Sequence, residues 1–246
     1  MAFELTTYMD VPSGSGLGSS STLVVAIIGA FVECLKLPLG EYDIAQLAYS
    51  IEREDLGMAG GKQDQYAATF GGINFMEFHQ DNQTIVNPLR IKSEFLYELE
   101  FHLLLYYTKT SRESAKIIEE QRKNVQDNQA LVLEATQNLK KQALMMKEAL
   151  LKGEFAKIGE ILDFGWQNKK RIASKVSNPK IDEIYRQAIQ AGATGGKISG
   201  AGGGGFMIFY CPDNTRYPVM EVLNNLGGYM QRYNFIKKGM TTWTSK

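Results

Sequence analysis

The sequence predicts an α+β protein of two domains, and three observations support this prediction. Two glycine-rich loops, at 12–22 and 195–206, each lie next to an apolar segment. Segments with apolar residues three and four positions apart are interspersed with short alternating or β-branched runs. The 246 residues are enough for one or two hydrophobic cores. We place the first domain at 1–90, a boundary region at 88–98 and the second domain at 99–246.

Composition restricts the classes of partner that we expect. The 27 Lys and Arg residues balance the 27 Asp and Glu residues, so the chain has no net positive charge that would attract nucleic acid or an anionic membrane. Cys34 and Cys211 form neither a disulfide framework nor a metal-binding spacing, which predicts reduced thiols. The sequence lacks a signal peptide pattern, and the apolar run after Ser21 is too short for a membrane span. We therefore expect a soluble cytoplasmic protein that binds small molecules.

The chain begins with a predicted strand and a predicted phosphate-binding loop. Residues 3–9 alternate and include β-branched and aromatic types, which favours a strand. The loop at 12–22 comes next, and the nearly all-apolar segment after Ser21 predicts a buried helix. Glycines let backbone N–H groups approach a ligand, and a helix N-terminus attracts anions, so phosphate is the expected ligand. The candidate binding residues are Ser13, Gly14, Ser15, Gly16, Leu17, Gly18, Ser19, Ser20 and Ser21.

Two carboxylates lie on either side of a second glycine-rich turn. Apolar spacing predicts an amphipathic helix over 41–55 with Asp43 as its N-cap, and the turn at 57–61 ends it. Glu52 lies late on this helix and Asp64 lies just after the turn, so the turn can direct both carboxylates to the phosphate loop. The alternative is a solvated helix end followed by a surface turn. The next predicted elements are a helix at 66–70 and paired strands at 73–78 and 84–86.

The second domain is predicted to begin with a central strand. The apolar run at 99–108 favours that strand, and a polar loop with Arg112 follows, where Arg112 is either an anion ligand or a surface charge. Two long segments, 115–151 with a break near Asp127 and 154–176, have the apolar spacing of helices that pack on one another. The later predicted elements are helices at 179–191 and 216–226 and strands at 207–210 and 229–235.

The loop at 195–206 is the third informative stretch. More than half of its residues are glycine, which would be entropically unfavourable if the segment only connected two elements. The composition therefore favours a role beyond that of a connector.

Three stretches resemble motifs of the GHMP kinases, the family named for galactokinase, homoserine kinase, mevalonate kinase and phosphomevalonate kinase. Pro12–Ser20 reads Pro-x-x-x-Gly-Leu-Gly-Ser-Ser, similar to the second motif. Gly61–Gln65 fits the Gly-x-x-Asp-Gln pattern of galactokinase-like members, and residues 197–204 resemble the third motif. The resemblance implies an N-terminal domain like ribosomal protein S5 domain 2 and a ferredoxin-like C-terminal domain.

The resemblance also implies an activity and a role for each site residue. It implies an ATP-dependent kinase that phosphorylates the anomeric hydroxyl of a sugar or sugar phosphate and uses Mg²⁺. Glu52 and Ser20 would hold the Mg²⁺ ion, and Asp64 would accept the proton of the acceptor hydroxyl. Lys62 would help to keep Asp64 ionised. The residues that would contact the substrate are Asp64, Arg112 and Gly202. The two glycine loops would bind ATP, the second of them through Gly200, Gly202 and Gly203.

One family motif has no counterpart in the sequence. The first motif, rich in Pro, Gly, Arg and Asn, is not found before Pro12. We therefore expect an incomplete N-terminal domain, and we expect the chain alone to be poorly soluble or a homo-oligomer, and inactive until an N-terminal segment is supplied. Two further alternatives stay open: a kinase for another sugar, such as galactose or fucose, and a regulator that binds a nucleotide or sugar without turnover.

Overall fold

The computed structural model describes residues 2–110, 114–127 and 129–245. The chain forms two compact units, Met1–Val86 with Ile236–Lys246, and Asn87–Phe235. The C-terminal tail therefore groups with the first unit, which differs from the predicted limits. Among the described residues, every helix is too short or too polar to span a bilayer.

The first unit consists of helices and a small hairpin. Its elements are helix α1 (Ser19–Leu35), helix α2 (Glu41–Ser50), a π-helical turn (Ile51–Asp55), helix α3 (Gln63–Phe70) and strands β1 (Asn74–Phe78) and β2 (Thr84–Pro88). These confirm the predicted helices and the two-stranded hairpin. The predicted strand at 3–9 is wrong, because these residues are exposed and have no regular structure. No described strand pairs with them, and a strand requires a partner for its backbone N–H and C=O groups.

The start of α2 differs from the prediction. Gly40 precedes the first turn, and Asp43 lies within that turn, where its carboxylate accepts a 2.9 Å hydrogen bond from Gly40 N. Asp43 is therefore the acidic partner of a capping interaction and not the N-cap itself. The predicted helix end is also different, since the π-helical turn replaces α-helix over Ile51–Asp55. Such turns are often found at functional sites, and this one includes Glu52.

Helices α1 and α2 share a small core that orients their ends. Val25 and Ile28 of α1 pack with Ile44 and Ala48 of α2, and all four are buried. Only one face of α1 is buried, and alanines on its other face are exposed. Burial of this stripe fixes the rotation of α1 and α2, and with it the direction of the serines in the first turn of α1.

The second unit contains a four-stranded sheet with helices. Its elements are α4 (Ser93–His102), β3 (Leu103–Tyr107), α5 (Ser114–Gln126), α6 (Ala130–Lys152), α7 (Ile158–Lys170), α8 (Pro179–Gln190), β4 (Gly195–Ile198), β5 (Phe206–Tyr210), α9 (Arg216–Asn224) and β6 (Tyr229–Met230), with 3₁₀ turns at Phe155–Lys157 and Ser174–Val176. The strand order is β4-β5-β3-β6, and the three pairings are antiparallel. This arrangement confirms the α+β class.

Two predicted strands of this unit are shorter than expected. The run at 99–108 divides, because its first four residues complete α4 and only Leu103–Tyr107 form the strand. The segment at 229–235 contributes Tyr229–Met230 alone. The predicted helix break near Asp127 is confirmed between α5 and α6.

One face of the sheet forms the main core of the second unit. Leu104, Tyr106, Met207 and Phe209 pack on that face against side chains of α7, α8 and α9. Trp166 of α7 is fully buried in this cluster, as expected for a core residue. This core supports the strands on either side of the second glycine loop.

Candidate active site

The loop before α1 has the backbone geometry of an anion site. Gly14, Gly16 and Gly18 adopt positive φ angles of 70°, 83° and 73°, which side chains with a Cβ rarely tolerate. Gly18 is the N-cap of α1, and no side chain caps this helix end. The first turn of α1 contains no acidic residue of its own, and its backbone dipoles give this helix end a partial positive charge. The loop can therefore bind an anion such as a phosphate group.

Glu52 joins three separate segments of the first unit. Its side chain is buried, and Oε1 accepts a 2.7 Å hydrogen bond from Ser20 Oγ. Its other oxygen, Oε2, accepts hydrogen bonds from Ser21 Oγ at 2.6 Å and from the Gln65 side-chain amide. Arg53 Nη2 lies 3.9 Å from Oε2. A buried carboxylate requires such partners, and this set joins the start of α1, the π-helical turn and α3.

Asp64 lies beside the same loop. It belongs to the first turn of α3 and is exposed. A Cβ built on Gly18 would stand 3.1 Å from Asp64 Cγ, so the Asp64 side chain packs directly on the backbone at Gly18. The structure thus brings Ser20, Glu52 and Asp64 to one end of α1.

Lys62 has contacts that the sequence did not suggest. Its Nζ donates a 2.7 Å hydrogen bond to Asn82 Oδ1 and lies 4.9 Å from the centroid of the Tyr49 ring. These contacts connect the start of α3 to the turn of the hairpin. The role of Lys62 toward Asp64 stays a prediction.

Arg53 and Gln65 belong to the site but were not among the predicted site residues. Arg53 Nε donates to Gly61 O at 3.3 Å, so the guanidinium supports the glycine-rich turn before α3. Gln65 was visible only as the last residue of the Gly-x-x-Asp-Gln pattern, next to Asp64. Its contact with Glu52 depends on the fold of the turn, which no local pattern reveals.

The second glycine loop has a structural reason for its composition. Gly200, Gly202 and Gly203 adopt positive φ angles of 66°, 118° and 76°. A Cβ on Gly202 would stand 2.7 Å from the backbone of Val176, and Gly203 N donates a 2.8 Å hydrogen bond to Val176 O. The loop therefore packs backbone against backbone within the second unit.

Side chains of the second unit hold the carbonyl groups of this loop. Lys169 Nζ donates to Gly200 O, and Asn178 Nδ2 donates to Gly203 O at 3.2 Å. Burial lowers the pKa of the Lys197 side chain, which lies on β4 at the start of this glycine-rich stretch. The predicted ligand role of the loop stays a prediction. Arg112, a predicted substrate contact, lies outside the described residues.

Comparisons with known proteins agree on one family. Residues 1–72 match the GHMP kinases N terminal domain and residues 146–227 match the GHMP kinases C terminal domain. The D-glycero-alpha-D-manno-heptose 7-phosphate kinase of Campylobacter jejuni is 51% identical over 243 residues, which are 99% of this chain and 71% of that protein.

Solved structures share the fold. A D-glycero-D-manno-heptose 1-phosphate kinase from Bacteroides thetaiotaomicron superposes with a TM-score of 0.74 at 42% identity, over 96% of this chain and 67% of that one. A mevalonate kinase from L. major superposes with a TM-score of 0.71 at 23% identity, over 94% of this chain and 68% of that one. At this lower identity the likeness concerns the fold alone. The chain spans about two thirds of the length of both structures.

Proposed function

Because this chain belongs to the GHMP kinase family, a family of phosphotransferases, we propose that it transfers the γ-phosphoryl group of ATP to a heptose phosphate. Two relatives above 40% identity are named as heptose phosphate kinases, and their names differ in the position of the existing phosphate. We take D-glycero-D-manno-heptose 7-phosphate as the acceptor because the more similar of the two, at 51% identity, is named for it. The reacting group would then be the anomeric hydroxyl.

The observation that carries this proposal is the meeting of Ser20, Glu52 and Asp64 at the N-terminus of α1. Phosphoryl transfer demands little covalent chemistry from the protein and depends on positioning and on neutralisation of charge. The glycine loop and the helix N-terminus supply N–H groups that orient phosphate oxygens. The two carboxylates differ in environment, because Glu52 is buried and Asp64 is exposed beside the loop. This difference supports separate roles.

Ser20 and Glu52 suit a magnesium ion. Mg²⁺ takes oxygen ligands in an octahedron at about 2.0–2.1 Å, so adjacent ligand oxygens lie about 2.9 Å apart. Ser20 Oγ and Glu52 Oε1 are 2.7 Å apart, close to that spacing. The described residues contain no cluster of three His, Cys, Asp or Glu side chains, and Mg²⁺ in kinases needs only one or two carboxylates besides phosphates and water. When bound, the ion would neutralise charge on the nucleotide phosphates.

Asp64 suits the role of proton acceptor. Its carboxylate is accessible to a ligand and lies against Gly18, which places it next to the loop that would hold the phosphates. In the proposed reaction the acceptor O–H bond breaks and its proton passes to Asp64 Oδ. A bond forms between the acceptor oxygen and the γ-phosphorus, and the bond from that phosphorus to ADP breaks.

Substrate profiling of the whole protein tests the proposal. ADP release would be measured with ATP, Mg²⁺ and one acceptor at a time: heptose 7-phosphate, heptose 1-phosphate, galactose or fucose. We expect the highest kcat/KM with heptose 7-phosphate. A higher kcat/KM with another sugar would identify that sugar as the acceptor instead. Nucleotide binding without turnover of any sugar would favour a regulator over a kinase.

A further inference from the structure

We propose that Gln65 is a positioning residue of the metal site. Its side-chain amide holds the Glu52 carboxylate so that Glu52 Oε1 remains the oxygen available to the cation. This inference rests on the proposed role of Glu52 as a metal ligand.

The two oxygens of Glu52 have unequal surroundings. Oε2 accepts two hydrogen bonds, from Ser21 Oγ and from Gln65 Nε2, and Arg53 Nη2 lies 3.9 Å away. Oε1 accepts one, from Ser20 Oγ. A carboxylate oxygen has two lone pairs, so Oε2 is fully used and Oε1 keeps one lone pair for a cation. The donors on Oε2 therefore determine which oxygen is free to bind metal.

Gln65 is suited to hold this orientation. Its side chain is fully buried, and it belongs to the same helix turn as Asp64. An amide can donate to a carboxylate without adding charge, so it fixes the carboxylate without competing with the cation. Partners of metal-binding carboxylates act in this way and typically change metal affinity by about 10–100-fold when they are removed.

The second end of the Gln65 amide also indicates a ligand site. Gln65 Oε1 is buried and accepts no hydrogen bond from the described residues. A glutamine with a purely structural role would be expected to satisfy both ends of its amide within the protein. The amide oxygen Gln65 Oε1 can only accept hydrogen bonds, so the group that contacts it must be a donor. Mg²⁺ usually keeps several of its water molecules, and a water of this kind is a donor of suitable size.

The test measures how strongly Mg²⁺ promotes nucleotide binding, without turnover. The affinity of the whole protein for ADP would be measured by calorimetry without Mg²⁺ and with saturating Mg²⁺. The ratio of the two dissociation constants is the magnesium response. It would be compared for the wild type, Gln65→Glu, Gln65→Met and Glu52→Gln. Gln63→Glu is the matched control, because Gln63 lies in the same helix turn and is exposed.

We expect both Gln65 variants to lower the magnesium response by roughly 10–100-fold. Gln63→Glu should match the wild type. Gln65→Met keeps the approximate size of the side chain, so it remains informative if Gln65→Glu does not fold. Thermal unfolding and far-UV circular dichroism of every variant would report on the fold.

The outcomes separate this inference from the proposed function. If Glu52→Gln lowers the magnesium response and the folded Gln65 variants do not, Gln65 has a packing role only and the inference is overturned. If Glu52→Gln also leaves the magnesium response unchanged, Glu52 is not a metal ligand, and the inference about Gln65 is overturned with that assignment.

Discussion

Ser20 and Glu52 are 32 positions apart in the chain, and the Ser20 hydroxyl donates a 2.7 Å hydrogen bond to Glu52 Oε1. This bond links the phosphate loop to the π-helical turn. Both residues can therefore face one ion, and a change at either should alter the same property of the protein.

Replacement of the Glu52 carboxylate should weaken magnesium dependence selectively. In the whole protein, Glu52→Gln should raise the Mg²⁺ concentration for half-maximal rate by at least about tenfold, since partners of metal ligands alone change metal affinity by 10–100-fold. Magnesium titration of the initial rate measures this. Glu54→Gln is the control, because Glu54 belongs to the same turn and is exposed. Equal half-saturation for Glu52→Gln and the wild type would remove Glu52 from the metal site.

A side chain at Gly18 should prevent nucleotide binding. Gly18→Val would combine an unfavourable backbone angle of 73° with a Cβ 3.1 Å from Asp64 Cγ. Gly57→Val is the matched control, because Gly57 has a φ of 62° and its added Cβ would meet nothing within 4 Å. Calorimetry with ATP should detect binding by the Gly57 variant and none by the Gly18 variant, with similar helical signals in circular dichroism. Tight ATP binding by Gly18→Val would exclude close backbone contact with the nucleotide.

The packing of the C-terminal tail against the first unit can be tested with adjacent glycines. A Cβ on Gly71 would stand 2.1 Å from Gly239 N, whereas a Cβ on Gly72 would have its nearest neighbour at 3.4 Å. Both glycines have positive φ, so both alanine variants carry a similar backbone penalty. Gly71→Ala should lower the free energy of unfolding by roughly 1–3 kcal/mol more than Gly72→Ala, the usual range for overpacking. Chemical denaturation measures the difference, and equal stabilities would show that the tail does not pack at Gly71.

The two cysteines should differ in reactivity toward thiol reagents. Cys34 is exposed, whereas Cys211 is buried in the core of the second unit, and burial raises the pKa of its thiol to about 12. The reactive thiolate of Cys211 is therefore scarce at neutral pH. Mass spectrometry after brief treatment of the native protein at pH 8 should find label on Cys34 alone, and on both after unfolding. Rapid native labelling of Cys211 would contradict the described core.

Much of the fold was predictable where local patterns are strong. Helix α1 and the hairpin follow from an apolar run and from alternation around a turn, and both were predicted. The prediction of a strand at 3–9 was wrong because a strand depends on a second strand to pair with, which alternation within one segment cannot reveal. The prediction of strand at 99–102 was wrong because an apolar run is compatible with both a buried strand and the end of a helix.

The site was predictable to a similar degree. Glu52 and Asp64 were found because carboxylates on either side of a glycine turn are a recognisable pattern near a phosphate loop. The hydrogen bonds of Glu52 with Ser21 and Gln65 depend on where the chain returns after the turn. The contact of Lys62 with Asn82 depends on the position of the hairpin. Neither relationship has a local sequence signal.

The rate of phosphoryl transfer by Asp64→Asn measures the contribution of the proposed proton acceptor, with Asp55→Asn, an exposed aspartate of the π-helical turn, as the control. Transfer from ATP to heptose 7-phosphate would be followed by ³¹P NMR in the whole protein, and ATP affinity would be measured separately. We expect Asp64→Asn to lower kcat by roughly 10²–10⁴-fold, the usual contribution of a positioned proton acceptor, with ATP affinity within about twofold. A wild-type kcat for Asp64→Asn would contradict this role.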